Sequence, residues 1–304
     1  MEQGSAGRSR VAVVGAGAVG GFFAAKLQEA GSLVTLCVRT PIERLVLEQA
    51  GKRREAPVWI VTDPADQDAV EWVFVATKAQ DTAGAEPWLR RLCGSDTTVV
   101  ILQNGIDQAE RVEPLAPASL ILPAVVYCGA ERVSPGIIVH HQSSRLIIPQ
   151  GEAGARLAHL LSGTGVEVVQ TPDFLTASWR KLLVNVAANP ITTLTMRRIG
   201  VLREPDVNDL AQKLLAEAVA VGASAGARLT LEDARSILEA QCRYNETAGT
   251  SMLYDRLAGR PLEHEYITGA VVRAADRHGV AVPLNRALLA LLRGLNASLQ
   301  NTPA

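Results

Sequence analysis

The fold of this chain is decided by the stretch Val11-Ala12-Val13-Val14-Gly15-Ala16-Gly17-Ala18-Val19-Gly20. Four apolar residues run directly into the spacing G-x-G-x-x-G, and a helical pattern follows from Ala18 to Ala30. In such a strand–turn–helix unit, the first glycine allows the tight turn and the second lets a pyrophosphate approach the backbone. The third glycine lets the helix pack against the strand. The pattern therefore predicts a dinucleotide-binding turn, with a purely structural glycine turn as the alternative.

Short apolar runs continue through the first half of the chain. We predict strands at Arg10–Gly15, Leu33–Val38, Val58–Thr62, Trp72–Ala76, Thr97–Leu102, Ser119–Tyr127, Gly136–His141, Arg145–Pro149 and Val166–Val169. The first of these runs are almost continuously apolar, as expected for parallel strands that are covered on both faces. Helices are predicted between them at Ala18–Ala30, Ile42–Gln49 and Ile106–Glu113. This alternation predicts a doubly wound α/β sheet, with Gly136–Pro149 as an appended antiparallel hairpin centred on Ser143-Ser144.

The strand pattern fades after Thr171, where Thr171-Pro172-Asp173 is a typical helix start. Long helical stretches rich in Ala and Leu are predicted at Asp206–Ala223, Leu231–Gln241, Glu263–His278 and Pro283–Ser298. We therefore expect two domains, an α/β domain at residues 1–171 and an all-helical domain at residues 172–304.

Composition excludes several classes of protein. The 304 residues carry 30 Lys and Arg against 31 Asp and Glu, which argues against a nucleic-acid footprint over the whole protein. No apolar stretch is long enough to span a membrane, and the first ten residues lack the apolar region of a signal peptide. The four cysteines are scattered, with no metal-ligand spacing. We expect a reduced, cytoplasmic protein with no metal.

The end of the second predicted strand indicates which dinucleotide is bound. An enzyme that uses NAD places an acidic residue about 20 positions past the glycine turn, where it bonds the ribose 2′-hydroxyl. Here Arg39 and Thr40 stand in that place, and the first acid is Glu43. A guanidinium clamps a 2′-phosphate, which a carboxylate would repel. NADPH is therefore favoured over NADH, with an ordinary surface arginine as the alternative.

Polar residues follow the next two strands, at the edge of the sheet where α/β proteins bind ligands. Lys78 comes after the strand at Trp72–Ala76, and Gln103-Asn104-Gly105 comes after the strand at Thr97–Leu102. From the residues alone, ordinary loop chemistry is an equally good interpretation of both.

The helical half contains one unusual segment, at Trp179–Pro190. Lys181, Asn185 and Asn189 recur there every four residues, which would place three polar groups along one face of an apolar helix. Burying such polar groups is costly unless they are hydrogen-bonded or bind a ligand. Both interpretations, a functional site and a set of satisfied side chains, remain open. Further on, Ser251 and Glu263 are candidate site residues. Their structural alternatives are a helix cap for Ser251 and an acid in the first turn of a helix for Glu263.

Taken in order, several motifs resemble the ketopantoate reductase (2-dehydropantoate 2-reductase) family over nearly the whole chain. They are GAGAVGG at Gly15–Gly21, TKAQD at Thr77–Asp81, LQNG at Leu102–Gly105, WRKLLVNVAANP at Trp179–Pro190, SML–D at Ser251–Asp255, and LEHEYITG through HGVAVPLN at Leu262–Asn285. The resemblance implies an N-terminal Rossmann domain, a C-terminal helical domain of the 6-phosphogluconate dehydrogenase type, and an active site in the cleft between them.

The resemblance also implies roles for individual residues. Lys181 would be the proton donor to the substrate ketone, and Glu263 the second catalytic residue. Asn185, Asn189 and Ser251 would anchor the substrate, with Asn104 near both the substrate and the nicotinamide. Residues Gly15–Gly20, Arg39 and Lys78 would bind NADPH or NADP⁺.

The expected activity is the NADPH-dependent reduction of a 2-oxo acid, most simply of ketopantoate to (R)-pantoate for coenzyme A synthesis. Two alternatives stay open. One is a reductase of the same build that acts on another 2-oxo acid or ketone. The other is a binding protein that senses NADPH without turnover. The expected partner is a small 2-oxo acid, with no nucleic acid and no membrane, and a homodimer is the candidate assembly.

Overall fold

The computed structural model describes residues 8–301, which fold into two compact units. The first unit comprises the described residues up to Gln103 together with Asp107–Phe174. The second comprises Asn104–Ile106 and the chain from Leu175 onward. The boundary after residue 171 stays a prediction.

The first unit contains eleven strands and four helices in its described part. In chain order they are β1 (Arg10–Val14), α1 (Ala18–Glu29), β2 (Leu33–Cys37), β3 (Leu45–Gln49), β4 (Lys52–Ala56), β5 (Trp59–Val61), β6 (Trp72–Val75), α2 (Glu86–Leu92), β7 (Thr98–Ile101), α3 (Gln108–Val112), β8 (Leu120–Pro123), β9 (Val125–Ser134), β10 (Ile137–Pro149), α4 (Glu152–Leu160) and β11 (Glu167–Thr171).

A six-stranded parallel sheet forms the frame of this unit. Its order is β5-β2-β1-β6-β7-β8, so the strands of this sheet run 3-2-1-4-5-6 when they are counted along the chain. That order is the one found in dinucleotide-binding doubly wound sheets. Residues 11–14 of β1 are all buried, because the strand pairs on both sides and is covered on both faces. The predicted Rossmann-type sheet is confirmed.

A second, five-stranded sheet corrects two predictions. The predicted helix at Ile42–Gln49 is wrong, because Leu45–Gln49 forms β3, which pairs with β4 on one side and β10 on the other. Its Leu45 packs close to Gly21 of α1, so tertiary burial outweighs the helical spacing of the apolar residues.

The predicted hairpin centred on Ser143-Ser144 is also wrong. Ile137–Pro149 is one strand, β10, whose antiparallel partner is β9. The register shifts between His140 and Ser144, and Ser143 has φ +58°, so the polar pair forms a bulge rather than a turn. The predicted strand Ser119–Tyr127 is divided at Ala124 between β8 in the first sheet and β9 in the second.

The described regular elements after Thr171 are all helical, as predicted. They are α5 (Phe174–Val186), α6 (Ala188–Thr195), α7 (Pro205–Ser224), α8 (Leu231–Arg243), α9 (Ser251–Leu257), α10 (Thr268–His278) and α11 (Pro283–Asn301), with short 3₁₀ turns at Ile199–Arg203 and His264–Tyr266. The predicted helix at Glu263–His278 therefore begins only at Thr268. Trp179, Leu183 and Leu214 belong to the apolar core of this unit.

Between residues 8 and 301, no helix is both long enough and apolar enough to cross a membrane.

Candidate active site

The glycine turn after β1 has the geometry that a dinucleotide requires. Gly15 has φ +109°, a conformation that L side chains rarely adopt. A Cβ on Gly20 would lie 1.9 Å from the carbonyl oxygen of Gly15, so the third position must be glycine for α1 to approach. A Cβ on Gly17 would meet nothing within 4 Å. The space above the second glycine is thus open, and this cradle fits a pyrophosphate.

The first turn of α1 supports the same interpretation. Gly17 is its N-cap and has no side chain to bond the first backbone N–H groups, and the first turn contains no acidic residue. Free N–H groups at a helix N-terminus are a favourable environment for phosphate.

Arg39 lies in the exposed segment just past β2, on the same sheet as the glycine turn. Its side chain is 82% exposed, and Nη2 lies 3.6 Å from Oδ2 of Asp81. An ion pair at that distance between exposed side chains is weak, so the guanidinium remains available to a phosphate. Lys78 is half-buried directly after β6. The two cations therefore follow β2 and β6, the strands on either side of β1 in the sheet.

Gln103 is a positioning residue whose role the sequence did not reveal. It is 4% exposed, and its Nε2 donates to Oγ1 of Thr77 at 2.8 Å. Its Oε1 accepts from Oγ1 of Thr82 at 3.1 Å. One buried amide thereby ties the loop after β6, which carries Lys78, to the end of β7. The partners are more than 20 residues away in sequence, and no local pattern indicates such a bond.

Asn104 and Glu263 are brought together within the second unit. Nδ2 of Asn104 donates to Oε2 of Glu263 at 3.2 Å, although the two residues are 159 positions apart. Glu263 is 3% exposed. It precedes the 3₁₀ turn His264–Tyr266 and lies outside α10, so its alternative interpretation as a first-turn acid of that helix is wrong. A buried carboxylate is costly unless it is bonded, and Asn104 supplies one such bond.

The three residues of the polar stripe do not lie on one continuous helix. Lys181 and Asn185 are half-buried on α5, whereas Asn189 lies in the first turn of α6, after a break at Ala187. The proline at 190 fits the first turn of a new helix and could not continue the old one without loss of a hydrogen bond. Asn189 is 2% exposed, and its Nδ2 has no hydrogen-bond partner among residues 8–301. A buried, unsatisfied amide of this kind is suited to a ligand.

Ser251 is the exposed first residue of α9 and does not cap it. The cap is Thr250, whose Oγ1 accepts from the backbone N–H of Leu253 at 3.3 Å. Oγ1 of Thr250 also lies 2.7 Å from Oγ1 of Thr192, one helical turn after Asn189. Asn189 and Ser251 are thus connected through two threonines, and the hydroxyl of Ser251 is left for another role.

A charged cluster fixes the segment that carries Glu263. The neighbouring Glu265 accepts two hydrogen bonds from Arg293 of α11, at 2.6 and 3.0 Å. The hydrogen bonds from Arg293 have the largest effect on the pKa of Glu265 and lower it, whereas burial raises it. The pKa of Glu265 therefore lies below its usual value. His264 is buried, and burial lowers its pKa, so this imidazole is neutral at pH 7. Within the described part of the chain, no group of three His, Cys, Asp or Glu residues could hold a metal ion.

Two family models match this chain in the same order as its two units. "Ketopantoate reductase PanE/ApbA" matches residues 11–153, and "Ketopantoate reductase PanE/ApbA C terminal" matches residues 173–296. The chain belongs to the ketopantoate reductase family. Its fold class, recognised from the motifs, is thereby confirmed.

Individual members of the ketopantoate reductase family resemble the chain over almost its full length. The 2-dehydropantoate 2-reductase of Mycobacterium tuberculosis is 39% identical over 284 residues, which cover 93% of this chain and 96% of that protein. A dimeric ketopantoate reductase from Staphylococcus aureus superposes with a TM-score of 0.87 at 25% identity, over 95% of this chain and 99% of that one.

A ternary structure of D-mandelate dehydrogenase with NADH and anilino(oxo)acetate is also similar. Its TM-score is 0.89 at 25% identity, and the match covers 96% of this chain and 99% of that one. The same build therefore occurs in a protein named for a different 2-hydroxy acid.

Proposed function

We propose that this chain is an NADPH-dependent oxidoreductase that reduces 2-dehydropantoate (ketopantoate) to (R)-pantoate. The observation that carries the proposal is the buried carboxylate of Glu263, bonded to Asn104, in a chain of the ketopantoate reductase family. Glutamate is seldom fully buried unless it is paired. A catalytic role explains why the carboxylate of Glu263 is buried beside the amide of Asn104.

The cofactor is NADPH. The open space above Gly17 and the uncapped N-terminus of α1 support binding of the pyrophosphate, and the exposed Arg39 supports binding of the 2′-phosphate. We assign Lys78 to the cofactor phosphate as well. Bound NADPH supplies a hydride to the C2 carbonyl carbon of a 2-oxo acid.

Lys181 supplies the proton that completes the reduction. Negative charge develops on the carbonyl oxygen as its carbon is reduced, and the ammonium of Lys181 stabilises that charge. Transfer of a proton from Nζ to this oxygen gives the 2-hydroxy acid and leaves a neutral amine, which solvent reprotonates. General acid catalysis of this kind typically contributes about 10²–10⁴-fold.

The remaining site residues hold the substrate. The Glu263 carboxylate, oriented by Asn104, accepts a hydrogen bond from the hydroxyl that forms. Asn185, Asn189 and Ser251 bond polar groups of the substrate without adding negative charge. The unsatisfied Nδ2 of Asn189 supports this role, because a substrate oxygen would relieve the cost of its burial.

The likeness to D-mandelate dehydrogenase favours a second candidate, a reductase of the same build that acts on another 2-oxo acid. Substrate choice depends on the fit of the side chain attached to the carbonyl, where one methylene changes the selectivity by only about 10- to 200-fold.

We infer further that the chain works in the cytoplasm. We also infer that it forms a homodimer, because the relative from Staphylococcus aureus is dimeric. Light scattering coupled to gel filtration tests the dimer.

The test of function is a substrate panel followed by nicotinamide absorbance. Ketopantoate, pyruvate, 2-oxoisovalerate and 2-oxobutyrate are compared under identical NADPH conditions. We expect kcat/KM for ketopantoate to exceed the others by at least about 100-fold. Faster reduction of another 2-oxo acid would favour the second candidate. NADPH binding without oxidation by any acid would instead indicate a sensor.

A further inference from the structure

Arg198 lies in an exposed segment after α6 whose backbone is held in place. The N–H of Ile199 donates to the carbonyl of Ala248 at 2.9 Å, and that of Gly200 donates to the carbonyl of Glu246 at 3.2 Å. Met196 adopts a left-handed conformation, with φ +59°, and ends α6 just before the segment. The chain is therefore fixed beside the segment that leads into α9, and Arg198 projects from a defined position.

The guanidinium of Arg198 lies against α9, the helix that begins at Ser251. Its central carbon is 5.2 Å from the ring centroid of Tyr254, a cation–π contact. Tyr254 lies three residues after Ser251 on α9, so the two side chains share one helix face. A Cβ on Gly249 would lie 2.8 Å from Nη1 of Arg198, which shows how closely the guanidinium approaches the residues just before Ser251. Glycine at 249 leaves room for it.

The positive charge of Arg198 has no counter-charge of its own. Arg197, its neighbour, pairs with Glu204 at 2.6 Å, and Arg203 pairs with Glu246. Among residues 8–301, by contrast, no carboxylate lies within ion-pair distance of Arg198, and its side chain interacts with the ring of Tyr254. An arginine that is held on an aromatic ring, with its donors free, is well suited to bind an anion.

We propose that Arg198 binds the carboxylate of the 2-oxo acid substrate, with the hydroxyl of Ser251 as a second donor. The inference rests on the proposed function, because it concerns the substrate of that reaction. The anchors Asn185, Asn189 and Ser251 are uncharged, so none of them balances the negative charge of a carboxylate. Glu263 adds a further negative charge in the same unit. Lys181 is assigned to the carbonyl oxygen, so Arg198 supplies the cation for the carboxylate, and it selects 2-oxo acids over neutral ketones.

The experiment compares the holoenzyme with the variants Arg198→Gln, Arg198→Lys and Arg197→Gln. Ketopantoate and its neutral lactone are the two substrates, and pantoate binding is measured by calorimetry in the presence of NADP⁺. Loss of a charge-assisted hydrogen bond at an exposed site should raise KM for ketopantoate and Kd for pantoate by about tenfold. In Arg198→Gln we expect kcat to stay within about threefold of wild type. Reduction of the lactone should not change.

The conservative variant and the neighbouring arginine serve as controls. Arg198→Lys keeps the charge and should recover part of the affinity, whereas Arg197→Gln should match the wild type. An unchanged KM and Kd in Arg198→Gln, or an equal rise in Arg197→Gln, would overturn the role of Arg198 and leave the reductase function intact. A wild-type protein that reduces no 2-oxo acid would overturn the proposed function, and the inference with it.

Discussion

Lys181 is the residue on which the proposed chemistry depends most directly. Lys181→Met removes the proton donor but keeps an unbranched side chain of similar length on α5. We expect kcat to fall by about 10²–10⁴-fold. NADPH affinity should be retained, because the glycine turn lies in the other unit. Steady-state kinetics and a fluorescence titration with NADPH measure the two effects.

The matched control is Lys213→Met, which removes an exposed lysine of α7 that pairs with Asp209. This variant should keep wild-type kcat. Near-normal turnover in Lys181→Met would remove that lysine from the catalytic role, and equal losses in both variants would point to general damage.

We expect Arg39 to determine the choice between the two nicotinamide cofactors. Arg39→Ala removes the guanidinium that we assign to the 2′-phosphate, so the KM for NADPH should rise by about tenfold or more. The KM for NADH should change little, because NADH lacks that phosphate. The control is Arg53→Ala on β4, an exposed arginine paired with Glu48. If both cofactors lost affinity equally, Arg39 would not read the 2′-phosphate.

At the residue scale, the sequence identified side chains whose chemistry is unusual for their position. Lys181 and Asn189 could be found because a polar residue in an apolar helix violates the local pattern. The sequence singles out Gln103 but does not predict its role, and it does not single out Thr250, because both roles depend on partners that are distant in sequence, such as Thr77 and Thr192. Arg198 looked ordinary because its missing counter-charge is visible only in three dimensions.

The β1–turn–α1 unit separates the structural from the binding role of glycine. Gly17→Ala adds a methyl group where nothing lies within 4 Å, so the fold should be unaffected. The methyl group would occupy the space of the pyrophosphate, and NADPH affinity should fall by about tenfold or more. Gly20→Ala would instead place Cβ 1.9 Å from the carbonyl oxygen of Gly15. This clash should lower Tm by several degrees.

Thermal unfolding without cofactor and NADPH titration distinguish these effects. We expect Gly17→Ala to melt within about 2 °C of wild type. An unchanged NADPH affinity in this variant would contradict the proposed path of the pyrophosphate over the turn.

The two wrong predictions of secondary-structure elements have one physical cause. The segment Ile42–Gln49 has helical spacing, but the sheet around β3 pairs its backbone on both sides. Ser143-Ser144 has the composition of a turn, but β9 holds β10 as one strand with a bulge. In both cases pairing with a partner strand outweighed a local preference. The six-stranded parallel sheet was predictable because continuous apolar runs are a strong signal without knowledge of the partners.

The joint between α10, α11 and the segment around Glu263 should be sensitive to acid. Arg293 holds the pKa of Glu265 below its usual value, so this pair stabilises the fold above the ordinary glutamate pKa. The contribution is lost as pH falls through the lowered pKa. Arg293→Gln should therefore lower Tm at pH 7 by about 2 °C, and the difference from wild type should shrink below about pH 4.

Thermal melts at pH 7, 5, 4 and 3 follow this difference. Arg243→Gln breaks an exposed pair with Glu239 on α8 and serves as the control, with little effect at any pH. A difference that grows in acid would mean that Arg293 acts through another partner.

Each of the two units of the whole molecule has its own apolar core. One core includes Trp179 and Leu214, and the other includes Phe22 and Leu36. Cofactor groups are assigned to the α/β unit, and substrate groups to the helical unit. Asn104 belongs to the helical unit although it directly follows Gln103 of the α/β unit. Ligands should therefore stabilise the two units separately.

Hydrogen exchange measured by mass spectrometry tests the assignment of the cofactor to the α/β unit and of the substrate to the helical unit. At about 100 times its Kd, NADPH should stabilise the state that binds it by about 2.7 kcal/mol, and exchange should slow in peptides that cover the glycine turn and α1. Pantoate added to the NADP⁺ complex should slow exchange around Asn189 and Ser251. In Gly17→Ala, a tenfold loss of affinity would reduce the stabilisation at the same NADPH concentration to about 1.4 kcal/mol, while binding of pantoate alone is unaltered. Protection by NADPH that is confined to the helical unit would contradict the assignment of the cofactor to the turn at Gly15–Gly20.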